Sequence, residues 1–274
     1  MPSPGKRLCV FGDSHFACVK SACDQGMVSA EGIDIEFWGN TGKQFRRLIW
    51  RNDQVEPMDE FAAKRFAGTN ASGRTALNAG DFDMILFQGC RVDLYRLFPE
   101  LLHRRRTPGA RLSSGVERRW IHDFLLRLQP YHFARNLAAQ QFARVVLAPI
   151  SFNTEGLERE IPDRFAGAAD ATPQDRAGLW ATVADILQSD GITLLPQPDN
   201  TVVGGCCTHP DFAVRNYLER GDKTHKNPAY GALIVEAAIR MFPPAAASGR
   251  KPARKKASTP RRAAPRAKPV KLQS

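Results

Sequence analysis

The sequence predicts an α/β domain built on a five-stranded parallel sheet covered by helices on both faces. Three observations carry that expectation. Five short, apolar, β-rich runs alternate with helix-periodic stretches between Lys6 and Met241, and most of the runs stop at a glycine or proline turn. Strands separated by helices pair in parallel, because each crossover back to the same sheet edge takes up a helix. The composition, 43% hydrophobic and 24% charged, is that of an ordinary globular protein and excludes collagenous or wholly disordered chains.

Lys6 to Phe11 reads as the first strand, with turn residues leading into a helix-compatible stretch from Phe16 to Val28. Ile33 to Trp38 is the second strand, ended by Gly39-Asn40-Thr41-Gly42, after which Phe45, Leu48 and Ile49 recur at helical spacing. Residues 53–80, with Gly68, Gly73 and Gly80 and few bulky side chains, read as an irregular insertion. Phe82 to Phe87 is the third strand, stopping at Gln88-Gly89. Val116, Trp120, Phe124 and Leu128 then share a helical face until Pro130 interrupts it. Val145 to Ile150 is the fourth strand, and Leu179, Val183, Ile186 and Leu187 mark an amphipathic helix. Ile192 to Leu195 is the fifth strand, closed by Pro196, and Asn227 and Pro228 read as the N-cap and first residue of a last helix through Met241.

Charge is unevenly placed. Of 39 Lys and Arg and 28 Asp and Glu, residues 245–274 hold ten of the bases and none of the acids, which leaves 29 basic and 28 acidic residues in 1–244. The terminal segment has Val270 and Leu272 as its only large apolar side chains, too few to offset the entropy of ordering, so it is expected to be a disordered basic tail behind a 1–244 domain. By charge alone such an arm is able to contact nucleic acid or another anionic polymer, although it carries no aromatic residue for stacking on bases and a solvated tail is the plainer reading. The first apolar run, Leu8 to Phe11, is shorter than the roughly seven residues of a secretory core, and nowhere do roughly 18 apolar residues follow one another. A cytoplasmic location with no transmembrane segment is expected, and with it reduced thiols at Cys9, Cys18, Cys23, Cys90, Cys206 and Cys207.

In open parallel sheets ligands gather beyond the carboxyl ends of the strands. Asp13-Ser14, Gly39 to Gly42 and Gly89-Cys90 all follow strands, so distant positions are able to line one crevice. Near the chain's end Asp222 precedes His225 by three residues, just before the capped helix. A serine hydroxyl attacks at neutral pH only when a base takes its proton, and the base needs a partner that fixes its tautomer. Ser14, His225 and Asp222 supply those three parts. Taken singly each has a plainer reading: a helix cap for Ser14, a structural histidine, a turn aspartate. Gly42 is equally readable as a turn glycine.

On these residues the chain resembles the SGNH, or GDSL-type, hydrolases. Gly12-Asp13-Ser14 matches the block that carries the nucleophile, Gly39-Asn40-Thr41-Gly42 has the glycine spacing of the second block, and Asp222-Lys223-Thr224-His225 matches the final DxxH block. The resemblance implies a flavodoxin-like three-layer α/β/α sandwich and a Ser14-His225-Asp222 triad acting on oxygen esters, with carbohydrate O-acetyl groups or small acyl esters as substrates and no cofactor. It further implies an oxyanion hole formed by Ser14 N–H and Gly42 N–H. One block departs: Gly89-Cys90-Arg91-Val92-Asp93 puts Arg91 where the family has an asparagine donor. Arginine donates hydrogen bonds and is always charged, so Arg91 is able to replace the amide as an oxyanion donor, bind an anionic substrate group, or turn away. An O-acyltransferase of the same fold, and a non-catalytic protein binding an anionic glycan or polymer, are the competing functions.

Other chemistry-bearing residues read more plainly. His15 is expected to project away from the nucleophile and at most line the pocket, and Cys90 to be a buried thiol. Cys206, Cys207 and His209 read as a loop and not a metal site, because four well-spaced ligands cannot be assembled from them. Arg104, Arg105 and Arg106 read as a solvated helix face able to attract acidic substrates. No glycine-rich phosphate signature follows the first strand, which disfavours nucleotide binding.

Overall fold

The computed structural model describes residues 5–157 and 161–242, so the segment expected to form a basic tail lies outside the described residues. Its five long-range strands are β1 (Lys6–Gly12), β2 (Ile33–Gly39), β3 (Met84–Gly89), β4 (Arg144–Pro149) and β5 (Ile192–Leu194). They pair in parallel throughout, in the order β2-β1-β3-β4-β5. This is the flavodoxin-like order, in which the chain reverses its direction of travel across the sheet between β1 and β3 and leaves a crevice at their carboxyl ends.

Side chains alternate between the two faces, as the period of a strand requires. Leu8, Val10, Met84, Leu86, Val146 and Ala148 pack on one side with helices α1 (Ala17–Asp24) and α8 (Pro228–Arg240). Cys9, Phe11, Ile85, Phe87, Val145 and Leu147 pack on the other. That layer holds α2 (Glu60–Ala67), α3 (Phe98–Arg106), α4 (Ser114–Leu125), α5 (Gln129–Ala139) and α6 (Pro173–Ser189). The result is a three-layer α/β/α sandwich. Each large side chain buried in this way contributes about 2 kcal/mol.

The crossing of α1 and α8 positions the site. A Cβ on Gly231, in the first turn of α8, would overlap the backbone of Cys18, in the first turn of α1. Only glycine lets the two helix starts approach so closely, and the residues just before them, Ser14 and His225, are thereby carried together from opposite ends of the chain.

Several elements differ from the sequence expectation. Gly42–Arg47 is a 3-10 turn, after which Leu48–Arg51 and Gln54–Pro57 pair as an antiparallel ribbon, so Leu48 and Ile49 are strand residues. The segment expected to be irregular contains α2, whose first turn is capped by the Asp59 side chain accepting from Ala62 N–H at 3.0 Å. Of the expected face, Trp120, Phe124 and Leu128 pack half-buried against the core and Val116 is exposed, while the fully buried positions on α4 are Glu117, Ile121 and Leu125. Pro130 opens α5 in its first turn, where its missing N–H costs nothing. The arginine run on α3 is not a solvated face: Arg104 pairs with Glu100, Arg105 with Glu117 at 2.5 Å and Arg106 with Asp175. Among the described residues no helix is long and apolar enough to cross a membrane. All six cysteines are free thiols.

Candidate active site

β1 ends at Gly12, which sits in register with Gly39 of β2 and Gln88 of β3, so the three following loops emerge side by side. Gly39 makes this possible: its φ is +152°, and a Cβ there would collide with the Gly12 carbonyl oxygen. Thr69 and Asn40 pin the second loop, with Thr69 Oγ1 accepting from Gly39 N–H at 3.1 Å and Asn40 Nδ2 donating to Ala62 O at 3.3 Å. The insertion between β2 and β3 therefore supports this edge of the site.

Asp13, and not Ser14, caps the turn after β1. Its carboxylate accepts from His15 N–H at 3.2 Å. Burial pushes the Asp13 carboxyl above the usual range, against the hydrogen bond from His15 N–H and the nearby Arg91 charge. With capping assigned to Asp13, the Ser14 hydroxyl is free for another partner. Ser14 Oγ lies 2.8 Å from His225 Nε2.

His225 stands in the tight loop before α8, whose first turn is capped by Asn227 accepting from Tyr230 N–H at 3.2 Å. Its Nδ1 is 3.0 Å from both carboxylate oxygens of Asp222, and its backbone N–H donates to Asp222 Oδ1 at 3.1 Å. Burial by itself would raise the Asp222 carboxyl, but the hydrogen bonds from His225 N–H, the His225 ring and Thr224 N–H hold it below its ordinary range. An ionised carboxylate only accepts, so Nδ1 carries a proton, and in the neutral ring Nε2 presents its lone pair to Ser14.

Two neighbours were not singled out as partners from the sequence. The His15 ring does not project away: it stacks on the His225 ring at 4.8 Å with 20° between planes. Burial, then the neighbouring His225 and Lys226, lower its pKa to about 3, so it stays neutral. Lys226 is buried beneath the same loop and donates to the carbonyls of Lys223 and Thr224, both at 3.1 Å. Burial lowers its pKa to about 7. The sequence signal for Lys226 was available: a lysine one residue after His225 and two before an apolar helix has little room to reach solvent.

The third loop is a left-handed turn, with φ of +71° at Gly89, +49° at Cys90 and +59° at Arg91. A left-handed Cys or Arg costs about 1 kcal/mol. The buried Cys90 thiol, whose pKa burial raises, donates to Phe11 O at 3.1 Å and takes no part in the site's polar contacts. Arg91 Nη1 donates to Gly42 O at 3.2 Å, tying the third loop to the second. The backbone N–H groups of Ser14 and Gly42 donate to no described residue.

Elsewhere, the His209 ring accepts from Asp211 N–H at 3.2 Å as a local cap, and Cys206 and Cys207 are buried. Among the described residues no group of three His, Cys, Asp or Glu is placed to hold a metal ion. A scan against protein-family models, a search of curated proteins and a search of solved structures each found no match to this chain.

Proposed function

We propose that the protein is a serine hydrolase of oxygen esters, related in mechanism to the SGNH-type enzymes its motifs resemble. The observation that carries the reading is the continuous chain from Ser14 Oγ through the His225 ring to Asp222, with steps of 2.8 Å and 3.0 Å. In this reading Ser14 Oγ attacks the ester carbonyl carbon as its proton passes to His225 Nε2. Asp222 keeps the ring in the accepting tautomer and stabilises the imidazolium that forms. The tetrahedral oxyanion is received by Ser14 N–H and Gly42 N–H. Its collapse expels the alcohol, which takes the proton from His225. Water, deprotonated by the same nitrogen, then releases the acid and restores the serine.

Arg91 has a supporting role: it holds the Gly42 carbonyl and leaves the neighbouring amides to the substrate. Preorganised donors of this kind are each worth about 10²–10³ in kcat. His15, neutral and stacked on His225, limits the ring's motion without competing for its proton.

The test uses a fluorophosphonate probe and short p-nitrophenyl esters on the intact protein and on Ser14→Ala and His225→Ala. Labelling and turnover by the intact protein, both abolished in Ser14→Ala, are expected. Labelling that survives Ser14→Ala would remove the nucleophile. A second reading, a ligand-binding protein on the same frame, is favoured by the Arg91 contact, which leaves the third loop with no side-chain amide donor. Absence of both labelling and turnover would support it.

A further inference from the structure

The loop that carries Asp222 and His225 carries two more side chains into the same cleft. It is closed on itself by an antiparallel bridge between Ala213 and Lys226, and Asn227 N–H donates to Phe212 O at 2.9 Å beside that bridge. Within it Asn216 adopts the left-handed conformation and the short turn α7 (Tyr217–Arg220) follows. Tyr217 Oη donates to Glu155 O at 2.9 Å, and Asp222 N–H to Tyr217 O at 2.9 Å. Arg215 and Arg220 of this braced loop line a cleft of 460 Å³ whose wall also holds Ser14 and His225.

Charge in that cleft is unbalanced. Asp222 is the only carboxylate in its lining, and His225 engages both of its oxygens. The Arg215 and Arg220 guanidinium groups make no ion pair, hydrogen bond or ring contact with a described residue. Several arginines elsewhere are answered, Arg47 by Asp59, Arg74 by Asp81, Arg105 by Glu117 and Arg176 by Asp199, while Arg46, Arg111, Arg118 and Arg127 are unpaired among the described residues but do not line this cleft. Residues 1–244 are nearly balanced, with 29 bases and 28 acids, whereas this cleft sets two unpaired arginines against one engaged carboxylate. Two unpaired arginines lining one cavity offer the planar, bidentate guanidinium geometry that matches a carboxylate.

Resting on the hydrolase reading above, we infer that the substrate is an ester bearing a carboxylate, held by Arg215 and Arg220 while Ser14 faces the ester carbonyl. The carboxylate belongs to either the acyl or the alcohol part, and matched substrates separate the two. For the acyl part, p-nitrophenyl hemiglutarate is compared with p-nitrophenyl valerate. For the alcohol part, 3-(p-acetoxyphenyl)propanoate is compared with its primary amide, which has a similar leaving group.

The intact protein is expected to prefer the anionic member of one pair by about ten- to hundredfold in kcat/KM, the usual worth of hydrogen bonds to a charged group. That preference should fall several-fold in 0.5 M salt, roughly a regime of 4 Å screening. In the double variant Arg215→Gln/Arg220→Gln the anionic-to-neutral ratio should fall to near one, and in Arg215→Glu/Arg220→Glu it should invert. The ratio is read within one protein preparation, so a general loss of folding does not mimic the result. Ser14 labelling together with ratios near one in both pairs of the intact protein, or a preference that survives Arg215→Glu/Arg220→Glu, overturns the carboxylate site alone. Failure of Ser14 labelling overturns the hydrolase reading and this inference with it.

Discussion

The two halves of the candidate site are built differently. The side chains of Ser14, His225 and Asp222 are all fixed: Asp222 alone receives bonds from the His225 ring, His225 N–H and Thr224 N–H. In the loops of Gly42 and Arg91 the N–H groups of these two residues have no partner among the described residues, Gly42 is exposed, and one arginine-to-carbonyl bond joins the loops. The contrast matches what each half would do in the proposed hydrolase. Proton transfer requires donor and acceptor aligned before substrate arrives, whereas an oxyanion can be received only by donors with nothing else to bind.

The largest effect should come from the fixed half. Asp222→Asn places an amide against Nδ1 and lets the ring flip to the tautomer that cannot accept from Ser14. Ester turnover should drop by about 10⁴ in kcat, roughly 5 kcal/mol, with the fold intact by circular dichroism. A loss below tenfold would mean that Asp222 is a turn residue and that the contrast between the halves is only apparent.

Next in size is the support under that half. Burial holds Lys226 down to about 7, so between about pH 7 and 10 the unfolded chain binds the extra proton and rising pH stabilises the fold. The penalty is present in full below the folded pKa and is relieved as pH approaches the unfolded value. Buried thiols act the opposite way: Cys18 and Cys206, both pushed up to about 12 by burial, ionise first in the unfolded chain and destabilise the fold above about pH 8.5. Comparing Lys226→Met with the intact protein cancels the thiol contribution. The variant's stability relative to the intact protein should decline by roughly 1.4 kcal/mol per pH unit across that window in urea titrations. A difference that stays constant with pH would show that Lys226 reaches solvent and does not support the Asp222–His225 loop.

Gly39→Ala tests the shared edge. A methyl group driven against the Gly12 carbonyl, at a φ that favours glycine, should lower stability by about 3 kcal/mol, read as a lower urea midpoint. An unchanged midpoint would mean that the strand ends are free to separate and that the open half is not held in register with the fixed one.

What was legible in the sequence follows the same division. The strands were readable because buried parallel strands are continuous apolar runs, and β3 is buried at all six positions. Ser14 and the Asp222–His225 pair were readable because they stand at element boundaries, beside a strand end and a capped helix. The packing of Trp120 and Phe124 on α4 was readable but the centre of its buried face was not, because Glu117 is neutralised by Arg105 from another helix and a polar residue in the sequence gives no sign of its partner. The ribbon and α2 between β2 and β3 were hidden by short, glycine-punctuated segments whose order comes from tertiary contacts. The stacking of His15 on His225 depends on a ring direction set by the turn, which spacing along the chain does not encode.

The smallest effect belongs to Arg91. Its Nη1 is bonded to Gly42 O, so in the free protein it holds a loop and donates to no other group. Arg91→Ala should reduce kcat by about three- to tenfold, less than the 10²–10³ that follows loss of a direct oxyanion donor. Arg91→Lys, which can still reach a carbonyl with one N–H, should recover most of that loss, and KM should change little in both variants. A drop of 10²-fold or more in Arg91→Ala, unrecovered by lysine, would mean that the guanidinium leaves Gly42 when substrate binds and donates to the oxyanion itself. The open half would then be a site assembled by substrate, and its single resting bond a latch instead of a brace.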